Sequence, residues 1–177
     1  MARHGVTGIL LVGGASRRFG SPKALARFEG ETLGERAYRA LDTTCERVIA
    51  VGKTADELPL PFPVVDDGSE IRAAMIGLAA GLRAATTDLC LVLPVDVPHM
   101  TPDGLLLLAD GASGVDAAVP QTGPLPGAYR RSILPAVEER IAAQDFALHR
   151  LLGELRTRVV AIDESLLRNV NEPTNLS

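Results

Sequence analysis

The sequence has few of the residues that cross-link or anchor a small protein. It contains two cysteines, Cys45 and Cys90, which stand far apart and lack the close pairing of zinc sites or redox motifs. We therefore expect two small core residues and no disulfide framework. The longest apolar runs, such as residues 9–12 and 105–109, are too short to span a bilayer. The first residues lack the apolar segment of a signal peptide, which predicts a cytoplasmic location and no membrane partner.

An overall excess of positive charge is also missing. The formal net charge is −4 at pH 7, which gives no reason to expect nucleic acid as a partner. The distribution is uneven, however, because residues 1–40 contain seven Lys and Arg against three Asp and Glu, a local excess of +4. We expect an anionic ligand to bind where this excess lies.

The usual components of covalent catalysis are absent as well. No Ser, His and Asp or Cys and His arrangement suggests a nucleophile. His99 is interpreted as a surface residue near the start of a helix. His149 lies beside Leu148 and close to Leu151, which favours a structural role.

What the chain does have is enough apolar sequence for a full core. Hydrophobic residues make up 46% of its 177 residues, a length typical of one domain. Short apolar runs alternate with helical patterns, which predicts an α/β fold with a mostly parallel sheet. The predicted strands are 8–12, 47–51, 63–65, 88–93, 116–119 and 158–162, and the predicted helices are 33–41, 69–85, 102–110, 132–144 and 146–153.

The predicted helix over 69–85 has one apolar stripe, formed by Ile71, Met75, Leu78 and Leu82. Neighbouring positions carry mainly alanine and glycine. Such a helix can lie close against the sheet or against a ligand.

The most informative segment is residues 9–23, ILLVGGASRRFGSPK, in which an apolar strand ends at two glycines and three cations follow. Backbone N–H groups at such a turn can approach a ligand without a Cβ in the way, and Arg17, Arg18 and Lys23 supply charge for phosphates. Because consecutive residues cannot both face the same way, we expect one of the two arginines to meet phosphate. The spacing fits neither a Walker A loop nor the dinucleotide fingerprint, which opposes an NAD-type oxidoreductase.

Two acidic positions follow later strands, at the edge where ligands bind in open α/β sheets. Asp96 is enclosed by apolar residues and two prolines, so burying it calls for a cation, and Mg²⁺ suits it. It could instead cap the next helix, but Thr101 is better placed for that. Asp67 has two interpretations: it hydrogen-bonds a ligand, or it is the N-cap of the following helix with Glu70 completing a capping box.

Taken together, these segments resemble a known family. Residues 11–23, 94–98 (PVDVP), 124–131 (PLPGAYRR) and 169–173 (NVNEP) are similar to the nucleotidyltransferases of the nucleotide-diphospho-sugar transferase fold, and most of all to molybdenum cofactor guanylyltransferases. The resemblance implies a three-layer α/β/α sandwich with a Rossmann-like sheet, in a single nucleotidyltransferase domain over 1–177. It also implies Mg²⁺-dependent transfer of GMP from GTP to molybdopterin, with release of pyrophosphate.

The resemblance further implies roles for single residues. Lys23 would hold the phosphates and Asp96 would bind Mg²⁺. The nucleotide and acceptor would be bound by Leu11, Gly13, Gly14, Lys23, Asp67, Asp96, Asn169 and Asn171, of which the two asparagines lie on the pterin side. From their charge we add Arg17 to the binding residues and Arg18 to Lys23 and Asp96 as the catalytic residues.

Three positions depart from the family pattern near the expected nucleoside pocket. Pro22 precedes the lysine where many guanylyl members have Asp, and it is also seen in cytidylyl relatives. The family's Gly-Pro-Leu-Ala-Gly appears as AAMIG at residues 73–77, and Val51 stands where Asn is common. Three alternatives therefore stay open: a cytidylyltransferase of the same pathway, transfer to another phosphorylated metabolite, and a non-catalytic nucleotide-binding module.

Overall fold

The computed structural model describes residues 3–13 and 22–170, within which nine strands and five α-helices are found. In chain order they are β1 (Arg3–Leu11), β2 (Arg27–Phe28), β3 (Glu31–Thr32), α1 (Leu33–Thr44), β4 (Cys45–Gly52), β5 (Val64–Asp66), α2 (Ala74–Ala84), β6 (Leu89–Pro94), α3 (Pro102–Gly111), β7 (Ala117–Pro120), β8 (Gly127–Arg130), α4 (Leu134–Ala142), α5 (Leu148–Glu154) and β9 (Thr157–Val160).

Seven strands form one sheet in the order β5-β4-β1-β6-β8-β7-β9. All neighbours run parallel except β8, which is antiparallel to both β6 and β7. The chain builds outward from β1 through β4 to β5 and then returns to β6 on the other side of β1. Ligands bind at the carboxyl ends of the strands where the order reverses in this way. The mostly parallel α/β sheet predicted from the sequence is confirmed.

Helices cover both faces of this sheet. Successive side chains of β1 point to opposite faces, so Leu10 packs with α1 and α3, whereas Ile9 packs with α2, α4 and α5. Both side chains are fully buried, which stabilises the fold by roughly 1.5–3 kcal/mol each. The expected three-layer α/β/α sandwich is therefore also confirmed.

The small residues of α2 allow it to lie close against β1. A Cβ added at Gly77 would come within 2.8 Å of Leu11 Cδ2, and one added at Gly81 would come within 2.5 Å of Ile9 Cγ2. Close packing on the sheet, one of the two uses expected for this face, is confirmed, and Ala74 and Gly77 at the start of α2 also line a cavity.

The start of α2 differs from the prediction. The helix begins at Ala74 rather than at residue 69, and residues 69–73 form an irregular loop. Ile71 consequently lies outside the apolar stripe, and its side chain is exposed. Within the loop, the Asp67 carboxylate accepts from the Ser69 N–H and the Ser69 hydroxyl accepts from the Ile71 N–H, so these backbone groups are bonded outside a helix.

Two features, the β2–β3 hairpin and strand β8, were not predicted, and one predicted helix is divided. The β2–β3 hairpin has only two residues in each strand, joined at Glu29 and Gly30, both with positive φ. Strand β8 falls within the motif at residues 124–131, where Gly and Arg conceal its apolar pattern. The helix predicted over 132–144 is divided into a short 3₁₀ turn followed by α4.

The two cysteines behave as expected. Cys45 and Cys90 are buried and unbonded, and burial raises the pKa of each thiol to about 12. Thr101, as predicted, caps α3 by accepting a hydrogen bond from the Gly104 N–H at 3.1 Å. In the described part of the chain, the helices are all too short or too polar to cross a membrane.

Candidate active site

A cavity of about 390 Å³ opens at the carboxyl ends of β1, β4 and β6, within the size range of small-ligand sites. Leu11 and Pro94 are paired at the ends of β1 and β6. Gly13 and Asp96 follow two residues beyond, and all four residues line the cavity. A Cβ at Gly13 would meet no atom of the described residues within 4 Å, so the backbone there is open to a ligand. The cavity therefore lies at the reversal in strand order, where the topology places a binding site.

Asp96 is the acidic group of this cavity. Its side chain is 27% exposed, and burial raises the pKa of its carboxyl, although the Lys23 ammonium acts in the opposite direction. Its backbone carbonyl accepts a hydrogen bond from the Val170 N–H at 2.7 Å. Because the desolvation cost outweighs the attraction of Lys23, the charged carboxylate would gain from a further cation.

Lys23 meets Asp96 from a different part of the chain. Its Nζ lies 3.9 Å from Asp96 Oδ2, and its side chain is only 12% exposed. Lys23 begins a short 3₁₀ helix, Lys23–Leu25, that precedes the β2–β3 hairpin. The distance is too long for a hydrogen bond, so the two groups form a contact of opposite charges. The two residues on which the sequence analysis placed most weight are thus brought together.

A second charged pair, Lys53 with Asp67, lies at the other end of the cavity. Lys53 Nζ donates to Asp67 Oδ1 and Oδ2 at 2.8 and 2.7 Å, and to the backbone carbonyls of Ser69 and Ile71 at 2.5 and 2.8 Å. Both charged side chains are at least nine-tenths buried. The ammonium thereby ties the end of β4 to the loop before α2, which forms part of the cavity wall.

This geometry corrects one interpretation of Asp67. Its carboxylate accepts from Lys53 and from the Ser69 N–H at 3.1 Å, so it is not the N-cap of α2, which begins at Ala74. The capping box with Glu70 does not form. Lys53 itself was missed, although a cation directly after a parallel strand satisfies the same rule that selected Asp96.

Arg72 also lines the cavity and was not anticipated. Its guanidinium makes a two-point contact with the carboxylate of Asp56, at 3.1 and 2.7 Å. The hydrogen bond from Arg72 lowers the pKa of Asp56. The pair braces the loop before α2 from the outer side, and because Arg72 is half exposed, its contribution to stability is small.

The opposite end of the cavity is lined by Leu125 and Asn169. The Asn169 residue as a whole is exposed, and the buried Val170 next to it anchors this segment to the Asp96 backbone. Leu125 gives this end of the cavity an apolar wall, and Asn169 contributes an amide side chain.

The expectation that the cations of residues 1–40 face an anion is largely wrong for those that the structure describes. Arg36 and Arg39 both pair with Glu31, and Arg3 pairs with Asp110. Among the described cations of this segment, Lys23 is the one that reaches the edge of the cavity. The excess of +4 over residues 1–40 does not reveal these pairings, because a count of charges says nothing about which side chains lie close together.

The predicted site residues fall into two groups. Leu11, Gly13, Asp67, Asp96 and Asn169 line one cavity, with Lys23 beside Asp96. Gly14, Arg17, Arg18 and Asn171 lie outside the described residues.

The donor set bears on the kind of metal the site could hold. Within residues 3–13 and 22–170, no three His, Cys, Asp or Glu side chains form a cluster suited to a metal. Mg²⁺ is commonly held by one or two carboxylates, with water and substrate phosphates as the other ligands. A single carboxylate, Asp96, therefore fits an ion that shares its coordination with a nucleotide.

Comparison with known proteins decides the family. A family model described as the MobA-like NTP transferase domain matches residues 8–159. The chain belongs to this family. The resemblance inferred from its motifs is confirmed.

Relatives in the MobA-like family cover nearly the whole chain. A protein of Geobacillus sp. named as a probable molybdenum cofactor guanylyltransferase is 30% identical, over 95% of this chain and 94% of its own length. A protein of the same name from Aquifex aeolicus is 32% identical, over 94% of this chain and 86% of its own length.

A solved structure supports the same assignment of fold. Molybdopterin-guanine dinucleotide biosynthesis protein A from Archaeoglobus fulgidus aligns with a TM-score of 0.81 at 23% identity, covering 96% of this chain and 94% of its own. Family membership and fold together make the protein a nucleotidyltransferase.

Proposed function

We propose that the protein transfers GMP from GTP to the phosphate of molybdopterin and releases pyrophosphate, in a reaction that requires Mg²⁺. One observation carries this proposal: Lys23 Nζ and Asp96 Oδ2 converge to 3.9 Å at the carboxyl ends of β1 and β6, beside a cavity of about 390 Å³. The names of the relatives support the choice of nucleotide and acceptor. A cytoplasmic location, where thiols stay reduced, is part of the proposal.

The triphosphate would bind along the turn that follows β1. Backbone N–H groups at Gly13 and Gly14 would approach its oxygens, and Lys23 would neutralise their charge. Arg18, or Arg17 in its place, would add a further cation. Asp96 would hold Mg²⁺ together with phosphate oxygens, and the bound ion would supply neutralisation of the triphosphate charge.

The proposed reaction needs no covalent bond between the protein and the nucleotide. An oxygen of the acceptor phosphate forms the new bond to the α-phosphorus of the nucleotide, and the bond from that phosphorus to the bridging oxygen breaks. Pyrophosphate leaves with the electron pair. Because the attacking phosphate is already an anion, no general base is needed, and Lys23 acts by stabilising charge and fixing position.

The nucleoside would bind at the end of the cavity near Asp67 and Lys53. Leu11 and Val51 supply apolar surface there, and the loop held by Lys53 supplies a preformed wall. The acceptor would enter at the opposite end, beside Asn169 and Asn171.

The direct test is a pyrophosphate-release assay that combines GTP, CTP, ATP and UTP with molybdopterin and with common phosphorylated metabolites. GTP with molybdopterin should give the highest rate, and only with Mg²⁺ present. A preference for CTP, which Pro22 and Val51 would favour, would make the protein a cytidylyltransferase. Nucleotide binding without pyrophosphate release from any pair would indicate a non-catalytic binding module.

The first prediction concerns Asp96. Asp96→Asn keeps the shape but removes the charge, so turnover should fall by about 10²-fold or more, as for other lost electrostatic stabilisers. The matched control is Asp103→Asn, which removes an exposed carboxylate from the first turn of α3 and should leave turnover unchanged. Equal rates for Asp96→Asn and wild type would refute the role of Asp96.

A further inference from the structure

We propose that Arg36, a residue of α1 that does not line the cavity, is a positioning residue that sets Lys23 against Asp96. This inference rests on the proposed function, since it concerns how the two groups of that reaction are held together. Lys23 and Asp96 belong to segments far apart in the sequence, and their 3.9 Å contact involves no hydrogen bond. Something else must therefore fix their separation.

Arg36 holds the segment that carries Asp96. Its Nε donates a hydrogen bond of 2.5 Å to the backbone carbonyl of Pro98, two residues after Asp96. Val95 and Val97 on either side of Asp96 are buried, and the Met100 N–H donates to the Val97 carbonyl at 3.1 Å. This turn is compact, so a restraint on Pro98 is transmitted to Asp96.

The same guanidinium holds the hairpin that follows Lys23. Arg36 Cζ lies 4.8 Å from the centroid of the Phe28 ring, in β2, and Nη1 lies 3.2 Å from carboxylate oxygens of Glu29 and Glu31. The buried Phe28 ring also meets His99 edge-on, with centroids 5.4 Å apart. The hairpin is thus held against the turn after Asp96, with Arg36 in contact with both.

The start of α1 contacts the residues that directly follow Lys23. The Leu33 N–H donates to the Ala26 carbonyl at 2.8 Å, and a Cβ at Gly34 would lie 3.0 Å from the Ala24 carbonyl oxygen. The Lys23–Leu25 turn therefore packs on the first turn of α1, and Arg36 lies in that same turn. One rigid element holds both halves of the charged pair.

An arginine suits this role better than a lysine would. The guanidinium presents Nε to Pro98 and Nη1 to the two glutamates while its face covers the Phe28 ring, three contacts in different directions. A lysine ammonium is a point charge at the end of a flexible chain and cannot make all three.

Arg39 provides a matched control. It lies one turn further along α1 and also pairs with Glu31, but its side chain is 63% exposed. Within the described residues it contacts neither Pro98 nor Phe28. Removing Arg39 therefore removes a similar charge and salt bridge without releasing the segments that carry Lys23 and Asp96.

The experiment compares Arg36→Met, Arg36→Lys and Arg39→Met with wild type. Arg36→Met should lower kcat by on the order of 10-fold or more, as expected for a small misplacement of catalytic groups. It should also raise the Mg²⁺ concentration needed for half-maximal rate. The KM for nucleotide should rise by a smaller factor than kcat falls, because Lys23 meets only the phosphates, whereas the nucleoside end is built by β4 and the loop before α2. Arg36→Lys should restore only part of kcat, and Arg39→Met should resemble wild type.

Thermal melts of each variant separate positioning from loss of fold. All assays are run well below every melting midpoint, so the folded fraction does not limit the rate. If Arg36→Met loses no more kcat than Arg39→Met, or if nucleotide KM rises as much as kcat falls, the positioning role is wrong.

Failure of the proposed function would give a different result. Wild type would then transfer nothing, and calorimetric binding of GTP with and without Mg²⁺ would replace kcat as the readout. Arg36→Met should weaken Mg²⁺-dependent binding more than Mg²⁺-independent binding, because it displaces Asp96 as well as Lys23. Equal effects on both, or no Mg²⁺-dependent binding by wild type, would overturn the inference.

Discussion

At the scale of single residues, the sequence predicts that Lys23 and Asp96 act in one site. The fold brings them to 3.9 Å of each other, and their catalytic roles stay predictions. Both residues can be recognised from their local sequence, because Asp96 is enclosed by apolar residues and Lys23 follows a glycine turn. Lys53 shares with Asp96 a position just after a parallel strand, but its partners Asp67, Ser69 and Ile71 come from a loop that only the fold brings near. Pairing between charges that lie far apart in the chain is the feature that a single sequence shows least clearly.

A prediction at this scale concerns Lys53. Lys53→Met would leave the Asp67 carboxylate buried without its cation, which should destabilise the protein by about 3 kcal/mol. Urea unfolding measures this loss. The KM for nucleotide should rise as well, because the loop before α2 loses the four hydrogen bonds that join it to Lys53 at the end of β4.

The pairing can be isolated by a second substitution. Adding Asp67→Asn to Lys53→Met removes the orphaned charge, so the double variant should recover part of the lost stability. If Lys53→Met unfolds at the wild-type urea concentration, the buried pair does not hold the loop.

At the scale of elements, strand positions were predicted well and helix starts less well. A parallel strand is buried on both faces and appears in the sequence as an apolar run, as β6 does. By contrast, α2 begins at Ala74 without a side-chain cap, after a loop held by Lys53, and no local pattern marks that start. The β2–β3 hairpin, which Arg36 and Phe28 tie to α1, is too short for any periodicity to show.

The prediction for α2 concerns its packing on β1. Gly81→Ala would place a methyl group within 3.0 Å of three side-chain atoms of the fully buried Ile9. Overpacking of this kind costs about 1–3 kcal/mol, which outweighs the roughly 1 kcal/mol that alanine gains in helix propensity. The melting temperature should fall.

Gly153 in α5 serves as the control for this substitution. A Cβ there would meet no described atom within 4 Å, so Gly153→Ala keeps the propensity gain and should stabilise the protein slightly. A rise in melting temperature for both variants would show that α2 does not lie against β1 as described.

At the scale of the whole molecule, the alternation of strands and helices was sufficient to predict the sandwich. That the chain forms one nucleotidyltransferase domain over 1–177 stays a prediction, favoured by strands from Arg3 to Val160 joining a single sheet. The antiparallel β8 could not be foreseen, because its direction depends on pairing with β6 and β7 rather than on composition.

The prediction at this scale is a loss of stability in acid. The hydroxyl of Thr54, with backbone N–H groups, lowers the pKa of Asp66 to about 2, and Arg156 lowers that of Asp116. These carboxyls bind fewer protons when folded, so their stabilisation is complete above the ordinary pKa near 4 and is lost as the pH falls towards 2. Asp96, whose pKa burial raises, acts in the opposite direction.

Melting temperatures recorded from pH 6 to pH 2.5 should therefore decline most steeply below pH 4. Asp66→Asn removes one of these carboxyls and should make the decline shallower. A flat response over this range would contradict the lowered pKa values.

The two charged pairs, Lys53 with Asp67 and Lys23 with Asp96, would affect ligand binding in different ways. Lys53 is saturated by oxygen acceptors before anything binds, so the recess beside it is rigid and costs little ordering entropy to fill. Lys23 and Asp96 lie 3.9 Å apart without a hydrogen bond between them, so each can still bind a ligand of opposite charge. Under the proposed function, the base of the nucleotide would fit against a preformed wall, and its phosphates with Mg²⁺ would supply the charges that Lys23 and Asp96 lack in the free protein.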